Sequence, residues 1–251
     1  MLILNSISSL EGSFRYLIIQ RIKNFWGYGN LGGSVWFVGM EEGCDGSVQK
    51  LAKRFESTSQ GEVFDIYSDM RGDADHMKWF QKGAPTQSTY RRLIYLLLYF
   101  QKRKEPTLED TREYQIEHFG RKNSNHAILE LMPLPCRSIH PKDWVYASSG
   151  VAGLSSRREY LDTYKPKRIK RLRELIREHK PKLVVFYSMT YLKDWSFVAD
   201  SPFQEGIEKK LHTAKDGGTI YAVVPHPVAR GVSSDDWSKI AESIIRAWSH
   251  R

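Results

Sequence analysis

The sequence predicts an α/β protein with a four-stranded, mainly parallel sheet between layers of helices. Three observations lead there. Four short runs, in "GGSVWFVGMEEG", "HAILELMPLP", "KLVVFYS" and "TIYAVVPHP", are almost wholly apolar. Strands covered on both faces lack the polar alternation of half-exposed ones, so such runs suit the centre of a parallel sheet. Segments of helical period separate them, and strand–helix alternation is the pattern of a parallel sheet with helices on both faces. No repeat, low-complexity stretch or linker interrupts the 251 residues. Residues 1–251 therefore read as a single domain.

The elements follow in order. The chain starts amphipathically, with "FRYLIIQRIKNFW" as a helix. Glycines then bracket the first strand, residues 35–38, and a polar Gly-rich turn follows it. "SVQKLAKRFE" reads as a helix after that turn. Residues 57–85 read as irregular and polar, with "MKWF" as an aromatic island. "TYRRLIYLLLYFQKR" is a strong helix, and a double-proline turn ends the strand "HAILELMPLP". A Ser- and Gly-rich loop leads into "RREYLDTYKPKRIKRLRELIREHKPK", helical in its second half. The third and fourth strands come next. "SSDDWSKIAESIIRAW" closes the chain as a helix, with Ser and Asp placed to cap it.

Charge bounds the partners. The formal net charge is +9, which favours a polyanion, nucleic acid first. Cys44 and Cys136 are the only cysteines. They are too few for a disulfide framework, a four-Cys zinc site or a four-Cys iron–sulfur cluster. A reducing cytoplasm is the simplest setting. The first ten residues lack a basic start, and no apolar run approaches bilayer length. Neither a metal nor another cofactor is expected, because no ligand cluster has suitable spacing.

In open parallel sheets the site lies beyond the carboxyl ends of the strands. Three such ends carry chemistry: "GMEEG", "ELMPLPCR" and "PHPVARG". They supply Glu41 and Glu42, Glu130, and His226 with Arg230. Pro225 and Pro227 would fix the backbone around His226, since proline locks φ.

In order, spacing and type these segments resemble the uracil-DNA glycosylase superfamily. The likeness rests on a strand ending Gly-x-acid in "VGMEEG", a middle strand with a base-reading side chain, a "KPK-LVVF" strand and a terminal "HP" turn. It spans residues 35–231. The resemblance implies a monomeric enzyme acting on double-stranded DNA, everting a nucleotide and hydrolysing the bond between base and deoxyribose. His226 would donate to O2 of the departing base, a contact typically worth about 3–4 kcal/mol in a dry site. Glu41 stands where Gly-Gln-Asp-Pro-Tyr enzymes have Asp, and Glu42 where they have Pro. One of the two would orient water and stabilise the cation-like sugar.

Further roles follow from the same resemblance. Gly39, Met40 and Gly43 would line the base pocket. Glu130 stands where the family has an Asn that reads uracil. An ionised Glu offers only acceptors, which disfavours uracil O4 and favours an exocyclic amine such as cytosine N4. Gly43 replaces a Tyr that crowds C5 of the pyrimidine and so admits a C5 substituent. Trp79 or Phe80 would stack on the everted base. Val228, Ala229 and Arg230 would fill the gap it leaves. Lys165, Lys167 and Arg168 would meet phosphates. The expected substrate is a C5-modified cytosine, such as glucosylated hydroxymethylcytosine in phage DNA. Excision would leave an abasic site as an antiviral defence, as in bacterial antiviral glycosylases of this superfamily. Three alternatives stay open: repair of uracil or mispairs, a non-catalytic grip on modified or single-stranded DNA, and hydrolysis of a free nucleoside or nucleotide.

Overall fold

The computed structural model describes residues 2–102 and 104–249. In chain order its elements are α1 (Leu2–Asn24), β1 (Gly27–Gly29), β2 (Val35–Gly39), α2 (Val48–Ser57), β3 (Val63–Phe64), α3 (Ile66–Met70), α4 (Ala74–Met77), α5 (Ser88–Lys102), α6 (Leu108–Glu117), β4 (His126–Glu130), α7 (Arg157–His179), β5 (Leu183–Tyr187), α8 (Leu192–Ala199), β6 (Gln204–Glu205), β7 (His212–Asp216), β8 (Thr219–Val224) and α9 (Ser234–Ser249). The last residue of the stretch read as the helix "TYRRLIYLLLYFQKR", residue 103, lies outside the described residues.

The strands form one mixed sheet in the order β3-β1-β4-β2-β5-β8-β7-β6. The four apolar runs are β2, β4, β5 and β8. They lie side by side and mutually parallel as β4-β2-β5-β8, and every residue in them is buried. The expected strand count is corrected from four to eight. Short or polar strands extend both edges. On one side β1 runs antiparallel to β4, with β3 parallel beyond it; on the other, β7 is antiparallel to β8 and β6 to β7.

These edge strands escape a hydrophobic-run search for physical reasons. β1 is "GYG", and a Cβ at Gly27 would sit 2.0 Å from the Ile128 carbonyl oxygen. β7 is "HTAKD", polar because most of it is at least partly exposed. Its one signal is the Asp-Gly-Gly turn into β8, with both glycines at positive φ.

Side chains alternate between two cores. Trp36, Val38, Leu129, Phe186 and Val223 pack against residues of α1, α2, α7 and α8. Val35, Phe37, Ile128, Val185 and Ala222 pack against α5 and α9. Two helical readings also change. α7 is helical from Arg157 onward, because Ser156 caps it by accepting from the Glu159 N–H at 3.1 Å. Its internal Pro166 is exposed and does not end it. Residues 57–85 are ordered as β3, α3 and α4. Ile66, Met70 and Phe80 close a small core with Phe25 and Tyr28.

Candidate active site

Because the four central strands are parallel, their carboxyl ends share one edge. Beyond it the chains after β2 and β4 stay side by side. Leu131, Met132 and Cys136 donate their N–H groups to the carbonyls of Gly39, Met40 and Glu42 at 2.9, 2.7 and 2.9 Å. Gly39 is paired in register with Glu130. A Cβ at Gly39 would stand 2.5 Å from Glu130 Oε2 and 2.3 Å from the Tyr187 hydroxyl. Only glycine leaves room there for the carboxyl and the phenol to meet. Tyr187, the last residue of β5, donates to Glu130 Oε1 at 2.9 Å. Met40 is buried behind them, and a Cβ at Gly43 would meet open space.

Glu130 is only 7% exposed, and its Oε2 is buried without a hydrogen-bond partner. Burial first, then the Glu42 charge, raises its pKa well above the ordinary carboxyl range, although the Tyr187 bond opposes the shift. The shift favours the neutral acid over the ionised, acceptor-only Glu130 of the sequence expectation. Tyr187 donates to Oε1, which leaves Oε2 as the oxygen free to carry an acid proton. Tyr90 of α5 lies close enough to Tyr187 for its field to act on that phenol. The Tyr90 phenol is pushed up to about 12, chiefly by burial, within the fields of Arg54, Glu42 and Glu130.

The two adjacent glutamates have different surroundings. Glu42 is clamped between Arg21 and Arg54, one guanidinium on each carboxylate oxygen; the Arg54 contact is 2.6 Å. Arg21 is fully buried, donates to Pro133 O at 3.0 Å and Thr58 Oγ1 at 2.5 Å, and stacks on Phe25. Arg54 also donates to the Tyr28 hydroxyl at 3.0 Å, which in turn donates to Asp69 at 2.6 Å. Glu41 has one guanidinium only: Arg157 donates to its Oε1 at 2.5 Å. Its Oε2 is buried and unpartnered. Burial raises the Glu41 pKa despite the Arg157 charge.

The fourth strand ends at the Pro225–His226–Pro227 turn. Both prolines are buried and His226 is exposed. The Val228 N–H points at His226 Nδ1, at 3.4 Å. A backbone N–H can only donate, so Nδ1 accepts and the neutral ring carries its proton on Nε2. Although the residue as a whole is exposed, desolvation of part of its ring lowers the His226 pKa and favours this neutral form. The His226 ring meets Tyr187 edge-on at 6.0 Å. Beside them Ser188 holds a φ of 149°, a conformation rare for a side-chain-bearing residue, as β5 turns away. Glu130, Tyr187 and His226 thus form a row along the edge, with Glu41 and Glu42 close enough for both charges to act on Glu130.

Other expected positions fall elsewhere. Phe80 is buried in the core with Ile66 and Met70, against Tyr67 edge-on; no face is free to stack on a base. Trp79 is partly buried on the same core, with Lys78 over its ring at 5.2 Å. Arg168 is not a phosphate contact. It is 6% exposed, lies 3.2 Å over the Trp26 ring, and donates to the carbonyls of Leu131, Phe25 and Glu130. Arg168 therefore braces the chain behind Glu130. Lys165 pairs with Asp194, while Lys167, Val228, Ala229 and Arg230 are exposed.

Sequence reading missed Tyr187, Tyr90, Arg54, Arg21 and Arg157. The first ends the "KLVVFY" strand and was open to the strand-end rule that found the others. The remaining four lie on helices, where nothing in the sequence separates a site-facing residue from a solvated one. Among the described residues no three His, Cys, Asp or Glu side chains are grouped as a metal would need, and no helix is long and apolar enough to cross a membrane. No protein-family model matches the chain, and no curated protein matches it either.

Proposed function

We propose that this protein is a DNA glycosylase that hydrolyses the N-glycosidic bond of an everted pyrimidine, preferably a C5-substituted cytosine. One observation carries the reading. Glu41 and Glu130 each hold a buried, unpartnered carboxyl oxygen at the edge where His226 presents Nε2. An acid, a polar reader and a neutral donor at one edge suit base excision without a cofactor.

The roles divide by surroundings. Glu41 Oε2 orients the attacking water, while Arg157 holds Oε1. Both oxygens of Glu42 are engaged, so Glu42 supports the loop and does not take the water. As the C1′–N1 bond breaks, its electron pair leaves with the base. His226 Nε2 donates to the developing charge at O2. The water oxygen bonds C1′, and its proton passes through Glu41 to solvent.

Glu130 reads the base as a neutral acid. Its Oε2–H donates to N3 of cytosine, and Oε1, which keeps a second lone pair, accepts from N4–H. Uracil presents donor and acceptor in the reverse order, so the Tyr187 bond to Oε1 favours cytosine in this orientation. Gly43 leaves C5 uncrowded.

The test is incubation of the purified protein with duplexes carrying uracil, cytosine, hydroxymethylcytosine or its glucosylated form, followed by mass spectrometry of free bases. Release of a C5-substituted cytosine in preference to uracil supports the reading. Release of uracil alone assigns the protein to repair. Tight duplex binding with no release from any substrate overturns catalysis in favour of a binding module.

A further inference from the structure

We propose that the turn around Ile139 is a second apolar wedge, which enters the DNA duplex on the opposite flank of the site from Val228. This rests on the proposal that the protein acts on duplex DNA. Ile139 is 73% exposed and Val228 is 53% exposed. Single exposed apolar residues are ordinary on protein surfaces, so exposure alone decides nothing. Three further features single out Ile139.

The turn is built to hold its tip still. Ser138 Oγ donates to Asp143 at 2.5 Å and accepts from the His140 N–H at 3.0 Å. The Asp143 N–H donates to the His140 carbonyl at 3.0 Å, and the Cys136 thiol to the Ser138 carbonyl at 2.9 Å. Its base is rooted in the core. Trp144 and Tyr146 are buried, and Tyr146 donates to the Pro135 carbonyl at 2.8 Å. Such bonding presents an apolar side chain to solvent at little entropic cost on binding.

The surroundings of the tip are cationic or polar. Arg137, His140 and Lys142 are all exposed around it. Two cations, Arg137 and Lys142, lie within three residues of the tip, and an apolar side chain between cations suits stacked bases between phosphates. A protein partner would instead need a contiguous apolar patch. The net charge of +9 agrees with a polyanion.

Position completes the case. The turn follows β4 and the Val228 turn follows β8, so both stand at the carboxyl edge, with β2 and β5 between them. Three strand spacings put the two strand ends about 14 Å apart, or about four base steps. Glu130 ends β4, His226 follows β8, and Glu41 follows β2 between them. Apolar side chains inserted between base steps unstack and kink a duplex, and two tips would do so on both sides of the everted nucleotide.

Ile139→Ala and Ile139→Leu test this. The wild type should raise the fluorescence of an adenine analogue placed beside the target in a duplex, as unstacking does. Ile139→Ala should lose that signal and Ile139→Leu should keep it. Base release by Ile139→Ala should fall about tenfold or more on duplex DNA and stay at the wild-type rate on single strands. Equal signals from wild type and Ile139→Ala overturn the wedge, even if bases are released normally. If no base is released from any substrate, the glycosylase reading fails, and the fluorescence arm still decides the wedge.

Discussion

Replacing Glu42 by Gln removes the single negative charge that two guanidiniums share. Arg21 is fully buried, while Glu42 and Arg54 are 11% and 16% exposed. Breaking a buried ion pair by neutralising one partner typically costs about 3–5 kcal/mol. Part of the Glu42–Arg54 contact reaches solvent, so the lower end applies, about 3 kcal/mol. The Gln amide can satisfy one arginine but must turn its NH2 toward the other. For a domain of this size each kcal/mol lowers Tm by about 2–4 °C, giving a drop of about 6–12 °C. Glu41→Gln should behave differently. The Glu41–Arg157 pair is as buried, at 11% and 12% exposed, but only one arginine loses its partner and burial already opposes the Glu41 charge, so its neutral isostere should cost less than Glu42→Gln. Base release should instead fall about a hundredfold or more, as loss of a general base does. Thermal melts of the two variants beside wild type, followed by base-release rates well below their melting range, separate the roles. A Glu42→Gln protein that melts with wild type, or a folded Glu41→Gln protein of full activity, would refute the division of labour.

Three other outcomes are expected. Tyr187→Phe removes the donor that fixes the Glu130 proton on Oε2; the preference for cytosine-type over uracil substrates should narrow about tenfold, read as a ratio of release rates. Gly43→Tyr should fold normally, since a Cβ there meets open space, yet should abolish release of bases with bulky C5 groups while sparing unsubstituted ones. Burial first, and His118 second, lower the His126 pKa to about 3; the Gly120 N–H donates to its Nε2 at 2.9 Å, which holds the ring neutral. A depressed histidine stabilises the fold above its unfolded pKa of about 6.5 and loses that contribution as pH falls toward 3. From pH 7 to pH 5 the loss is about 2 kcal/mol. Urea unfolding of wild type against His126→Gln isolates it, because the raised carboxyls of Glu41 and Glu130 act with the opposite sign in both proteins. Equal pH slopes would exclude the effect.

The central sheet was legible in the sequence because burial on both faces demands uninterrupted apolar runs, and β2, β4, β5 and β8 are such runs. The parallel arrangement then places "GMEEG", Glu130 and His226 at one edge, since the carboxyl ends of parallel strands cannot be elsewhere. Strands of two or three residues, such as β3 and β1, carry too few side chains for any period to register. Arg54, Arg157 and Arg168 were beyond sequence reasoning for another reason. An arginine on a basic helix has the same local signature whether it meets phosphate, solvent or a carboxylate. Only packing decided that Arg168 is buried over Trp26, that Arg21 and Arg54 occupy Glu42, and that Glu41 keeps one oxygen free. Composition and strand order determined which chemical groups gather at the edge. Tertiary structure decided which of them are already satisfied, because hydrogen-bond partners and desolvation depend on neighbours far apart in the chain.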